Sequence, residues 1–160
     1  MEKILHSITK VRFQDCDPFN HLNNSKYIDY FMNAREDQLL ANYDLNIFKL
    51  ANEEGLSWVV ASNQICYLNP AIIMESVLID SQLIAYTTKS LTVELRMWGD
   101  GQSHLKAMLW TSFVHYNLKT KKTETHSATL SKLFSDVVLP VEQTTFDDRR
   151  NYLIRQRNGR

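Results

Sequence analysis

Residues 12 to 35 read Arg-Phe-Gln-Asp-Cys-Asp-Pro-Phe-Asn-His-Leu-Asn-Asn-Ser-Lys-Tyr-Ile-Asp-Tyr-Phe-Met-Asn-Ala-Arg, a polar loop that runs straight into an apolar helical stretch. An acidic pair (Asp15, Asp17), a histidine (His21) and two carboxamides (Asn23, Asn24) crowd the loop. The first turn of a helix leaves backbone N–H groups without internal acceptors, and the helix dipole puts positive charge at the same end. A carboxylate beside free amide donors suits attack on a carbonyl carbon. Taken singly, Asp, Asn and Pro are ordinary turn residues, and either asparagine could serve only as a helix cap. The ordered set is what points to chemistry.

Upstream, residues 6–14 alternate weakly around Ile8, Val11 and Phe13, which predicts a strand that delivers Asp15 and Asp17 at its end. Downstream, a helix is predicted over about residues 25–41. Its apolar residues, among them Tyr27, Phe31, Met32, Ala34, Leu39 and Leu40, cover more than one stripe, as in a helix buried on most sides. Strands are predicted at about 57–68, 75–87, 89–98, 104–117 and 123–134, with turn signals at Asn69-Pro70 and Gly99-Asp100-Gly101. In one of them Leu91, Val93, Leu95 and Met97 alternate with Thr92, Glu94, Arg96 and Trp98, the period of a one-sided antiparallel strand. Over 104–117 neither face is wholly polar, so this strand should be covered twice, by the helix and by a partner subunit. One early helix followed by several strands is an α+β pattern.

A chain of 160 residues suits one core. We expect a domain over residues 1–139 and, after Pro140, a charged extension over 140–160 that forms a short helix with acids at its start and arginines at its end. Arg149, Arg150, Arg155 and Arg157 read first as a solvated face, and second as a possible contact for a ligand phosphate. With 18 basic and 18 acidic residues the formal charge is zero, so there is no chain-wide field to draw in nucleic acid or an anionic membrane. Cys16 and Cys66 form no disulfide framework, and neither they nor the five histidines show metal-ligand spacing, so no metal is expected. The sequence shows no secretory signal and no run of membrane-spanning length, and a cytoplasmic protein is expected.

Phe13, Asp15, Asp17, His21, Asn23, Asn24, Tyr27, Tyr30 and Ala34-Arg35 stand at the spacing of a known signature. It resembles that of the hotdog-fold thioesterases of the 4-hydroxybenzoyl-CoA thioesterase type. Two later features fit as well, Tyr67-Leu68-Asn69-Pro70 at a strand end and Lys89-Ser90-Leu91-Thr92 at a strand start, so the likeness spans about residues 6 to 135. One position departs: many relatives carry Gly before the histidine, and this chain has Asn20, the non-glycine residue that best tolerates positive φ.

The resemblance implies a single hotdog domain, a long central helix wrapped by a curled antiparallel sheet of five to six strands. It implies hydrolysis of an acyl-CoA thioester to an acid and CoA, without a cofactor, since CoA is part of the substrate. Asp17 matches the catalytic carboxylate, as base or nucleophile, and backbone amides near Asn23 and Asn24 would receive the oxyanion. His21 and Asn24 complete the catalytic candidates, and Asn23, Tyr27 and Ser90 are the substrate-binding ones. Asn24 is expected to cap the helix, Asn23 to orient Asp17, and Asp15 to hold the loop through backbone N–H bonds. Sites at a subunit interface imply a homodimer or tetramer. Two other readings share the fold: a thioesterase acting on acyl carrier protein, and a non-catalytic binder of acyl thioesters. Enoyl-thioester hydration fits worse, because Asp17 stands where an Asn is needed and His21 lies one residue too far on.

Overall fold

The computed structural model describes residues 1–158. Strand β1 (Ile4–Lys10) is followed by the loop and by helix α1 (Tyr27–Tyr43); a short helix α2 (Ile47–Glu53) leads into β2 (Leu56–Tyr67). Then come β3 (Ser76–Tyr86), β4 (Ser90–Trp98), β5 (Leu105–Asn117) and a two-residue β6 (Lys122–Thr123). Helices α3 (Ala128–Val137) and α4 (Phe146–Asn158) close the described chain. The sheet runs β1-β3-β4-β5-β2, antiparallel throughout, with β6 beside β5. This is the expected α+β architecture, a curled sheet packed around one long helix.

Helix α1 begins two residues later than the spacing predicts, because residues Asn24–Lys26 form a 3-10 turn before it. It ends at Asp44, whose φ of 53° is the left-handed cap that stops a helix. Tyr27, Phe31, Ala34, Arg35 and Gln38 are buried, a single stripe at i, i+4, i+7, i+8 and i+11. The broader burial expected of this helix is not found: Met32 and Leu39 are half-buried and Leu40 is exposed. The stripe meets Val77, Ile79, Leu83, Val93, Leu95 and Leu109 on the inner face of the sheet.

One expectation is corrected. The strand predicted at 123–134 is mostly helix, and β6 is all that remains of it. Ser127 caps α3 by accepting from the Leu130 N–H at 3.2 Å, and Leu130, Phe134 and Val137 face the core at helical spacing. The outer face of β5, expected to meet a partner subunit, is covered in part by α4 of the same chain. There Trp110 lies edge-on to Phe146 with ring centroids 5.9 Å apart, and Met108 is fully buried.

Beneath α4, Glu94 is fully buried and accepts Arg149 Nε and Nη2, both at 2.9 Å, and the Trp110 indole N–H at 2.8 Å. Arg96 Nε reaches Asp80 at 2.7 Å beside it, and the Trp98 indole donates to the other Asp80 oxygen. Arg149 is therefore a fold contact rather than a phosphate ligand. The side chain of Arg157 lies outside the described residues.

Candidate active site

The loop between β1 and α1 is tied to the segment after β2. Leu22 N–H donates to Ala71 O at 2.8 Å, and Ile73 N–H donates to Asn20 O at 2.9 Å. Asn20 adopts a φ of 62°, so the residue in place of glycine takes the left-handed turn its side chain allows. The Tyr67 hydroxyl donates to Asn24 O at 3.1 Å and pins the helix start to the end of β2.

Asp17 sits half-buried at the centre of this loop. Its Oδ1 accepts two backbone donors, Phe19 N–H at 2.8 Å and His21 N–H at 3.1 Å. Its Oδ2 takes no hydrogen bond from the described residues. One oxygen thus fixes the carboxylate while the other stays free to hold a proton or meet a substrate atom.

The loop-holding role expected of Asp15 belongs to Asp17. Asp15 instead takes the Tyr30 hydroxyl on Oδ2 at 2.8 Å, and that hydroxyl accepts the Arg12 N–H at 3.0 Å. Burial, then Asp15, push the Tyr30 hydroxyl upward from its ordinary value, although the Arg12 N–H opposes them, so it stays a neutral donor.

The capping role expected of Asn24 falls to Asn23, and neither asparagine side chain bonds Asp17. Asn23, not Asn24, is the cap: its Oδ1 accepts Ser25 N–H at 3.0 Å and the Ser25 hydroxyl at 2.8 Å, and it makes no bond to Asp17. Asn23 N–H is spent on Asp15 O, and Lys26 N–H on Asn23 O. Among the described residues, the Asn24 N–H has no acceptor, so of the expected Asn23–Asn24 pair only the Asn24 amide is unspent. The Asn24 side chain is exposed and the His21 ring half-buried, neither with a hydrogen-bond partner among the described residues.

Tyr27 is corrected from substrate contact to core. It is 2% exposed, its hydroxyl accepts Ala71 N–H at 3.2 Å, and its ring meets Tyr67 edge-on at 5.1 Å. Ser90 bonds Thr87 in the β3–β4 turn, at the far end of a strand pair from the loop. A strand of this length spans roughly 30 Å, so one chain does not bring Ser90 to Asp17.

Cys16 lies between the two acids, with its thiol directed at Arg12 O at 3.3 Å. Burial, then Asp17 and Asp15, push that thiol up, so it stays protonated near neutral pH and offers no thiolate nucleophile. No three metal-ligating side chains converge among the described residues, and no described helix is long and apolar enough to cross a membrane.

A sheet curled around one long helix is the hotdog fold, and the loop at the start of that helix holds a fixed carboxylate and an unspent amide donor. The chain belongs to the thioesterase-like superfamily, which it matches over residues 11–138, and it is a thioesterase. It is 32% identical over 115 residues to the long-chain acyl-CoA thioesterase FadM of Escherichia coli strain K12, covering 71% of this chain and 83% of that one. The crystal structure of YbaW from Escherichia coli superposes with a TM-score of 0.71 at 25% identity, over 84% of this chain and 99% of that one. SAV2348 from Staphylococcus aureus, solved in complex with CoA, shares the fold with a TM-score of 0.77 at 14% identity, over 89% of this chain and 91% of that one.

Proposed function

We propose that this protein hydrolyses an acyl-CoA thioester to a free carboxylic acid and CoA. The observation that carries the reading is the division of labour in one loop: Asp17 Oδ1 is held by two backbone N–H groups, and among the described residues Oδ2 is unspent and the Asn24 N–H has no acceptor. Water attacks the carbonyl carbon as Oδ2 takes its proton, and negative charge develops on the carbonyl oxygen within reach of the amide donor. Collapse of the tetrahedral centre breaks the C–S bond, and the thiolate leaving group takes up a proton. Direct attack by Oδ2 would give a mixed anhydride that water then opens, with the same products. FadM acts on long-chain acyl-CoA, which supports CoA rather than carrier protein as the thiol carrier.

The His21 ring would orient the thioester, and Ser90 would reach the acyl group only from a second copy of the chain. The working unit in this reading is a homodimer.

The test is thiol release from short-chain, long-chain and aromatic acyl-CoA by wild-type and Asp17→Asn protein. An Asn oxygen can still accept from Phe19 and His21, so the loop should stay folded while turnover falls at least about a hundred-fold. Turnover by Asp17→Asn within a few-fold of wild type would remove Asp17 from the chemistry.

A further inference from the structure

A second feature lies away from the loop, between the C-terminal half of α1, the sheet and α3. It is a cavity of about 260 Å³ with apolar walls that include Leu39, Leu91, Phe113, Leu133 and Phe134. An apolar engineered cavity of about 150 Å³ takes up benzene, so this one has room for a longer hydrocarbon. Among the described residues one cation lines it. Arg35 is 8% exposed and donates from Nη1 to Ser81 Oγ at 3.0 Å. Among the described residues its other N–H groups have no acceptor, and no carboxylate lies within 4.0 Å of it.

The contrast within the molecule is informative. Arg96 and Arg149 are each bonded to a buried carboxylate, Asp80 and Glu94 respectively. Arg35 alone of these three is buried without a counter-charge. Burial pushes its guanidinium down to about 10, which still leaves it protonated at neutral pH. Glu36 also lines the cavity, but it is only half-buried and forms no ion pair with Arg35. A buried cation at the wall of an apolar cavity is complementary to an amphipathic anion.

We propose that this cavity is a carboxylate site, in which Arg35 binds the charged end of an aliphatic acid and the alkyl chain lies along the apolar walls. The chemistry has two possible sources: the acid released by thioester hydrolysis, or a second carboxylate at the far end of the substrate's acyl chain. That choice of sources rests on the thioesterase reading, whereas the binding itself does not need turnover.

Trp58 forms part of the wall, with its indole N–H held by His126 Nε2 at 3.1 Å, so its fluorescence reports occupancy. Decanoate and decanol, titrated into wild-type, Arg35→Gln and Arg35→Lys protein, test the site. Wild type should bind decanoate at least about tenfold more tightly than decanol. Arg35→Gln should lose that preference and Arg35→Lys keep part of it. Arg35→Gln should also melt no lower than wild type, because it removes a buried unpaired charge. Equal binding of decanoate and decanol by wild type overturns the site without recourse to any variant.

Two substrates identify the source: decanoyl-CoA and its analogue with a terminal carboxylate. A preference for the analogue that Arg35→Gln abolishes assigns the site to the substrate; no preference, with inhibition by free decanoate, assigns it to the released acid. Hydrolysis without decanoate binding overturns this site alone, and decanoate binding without any hydrolysis overturns the thioesterase mechanism alone.

Discussion

Single hydroxyls and carboxylates decide how rigidly the loop between β1 and α1 is held. Tyr30 bridges the Arg12 N–H and Asp15, joining the start of the loop to the N-terminal part of α1. Tyr30→Phe leaves one donor and one charged acceptor to water. Because Arg12 is exposed and Asp15 half-buried, water can replace much of the loss, and about 1 kcal/mol should go, or roughly 2–4 °C in melting temperature. Activity should fall with it, since Asp15 O accepts the Asn23 N–H next to the proposed oxyanion donor, the Asn24 N–H. An unchanged melting temperature and unchanged turnover would show the bridge to be idle. The sequence carried Asp17, His21 and Asn24 into one loop by spacing alone. It did not settle which asparagine caps, because capping depends on the residue at which the turn begins, and here a 3-10 turn intervenes before α1.

At the scale of elements, the strands β2 to β5 were legible to within a residue or two, since alternation survives wherever one face is buried. Helix α3 was misread as strand although Leu130, Leu133, Phe134 and Val137 stand at helical spacing; the β-like run before Ser127 obscured the cap. What periodicity could not show is that α4 docks. That contact rests on a long-range ion pair between Arg149 and Glu94 across 55 positions. Removing Arg149 leaves the buried Glu94 with Arg96 Nη1 at 3.5 Å as its remaining counter-charge; breaking a buried pair typically costs about 3–5 kcal/mol, whereas replacing both members is far milder. Arg149→Met should therefore lower the melting temperature by roughly 6–20 °C, and Glu94→Gln combined with Arg149→Met should recover at least half of the loss. A single variant that melts within about 2 °C of wild type would mean that α4 does not depend on this pair.

For the whole molecule the open question is the long free edge of the sheet. Strand β2 has 12 residues, pairs only with β5 among the described residues, and leaves Val59 through Gln64 exposed. An apolar edge with unpaired backbone groups is a ready template for another strand, and soluble proteins cover or charge such edges. Among the described residues nothing covers it: α3 and α4 pack elsewhere on the sheet, and Val59 and Val60 are 41% and 50% exposed. A second copy pairing there would bury the edge, and it is also what Ser90 needs in order to meet a loop it cannot reach within its own chain. Light scattering on the wild-type protein should then give twice the mass of the chain. Val59→Lys, which charges the edge but does not line the Arg35 cavity, should shift the protein to folded monomer and lower thioesterase activity in proportion. Monomeric wild-type protein with full activity would mean that one chain holds a complete site and that the edge has another purpose. A dimeric Val59→Lys variant with normal turnover would move the interface away from β2.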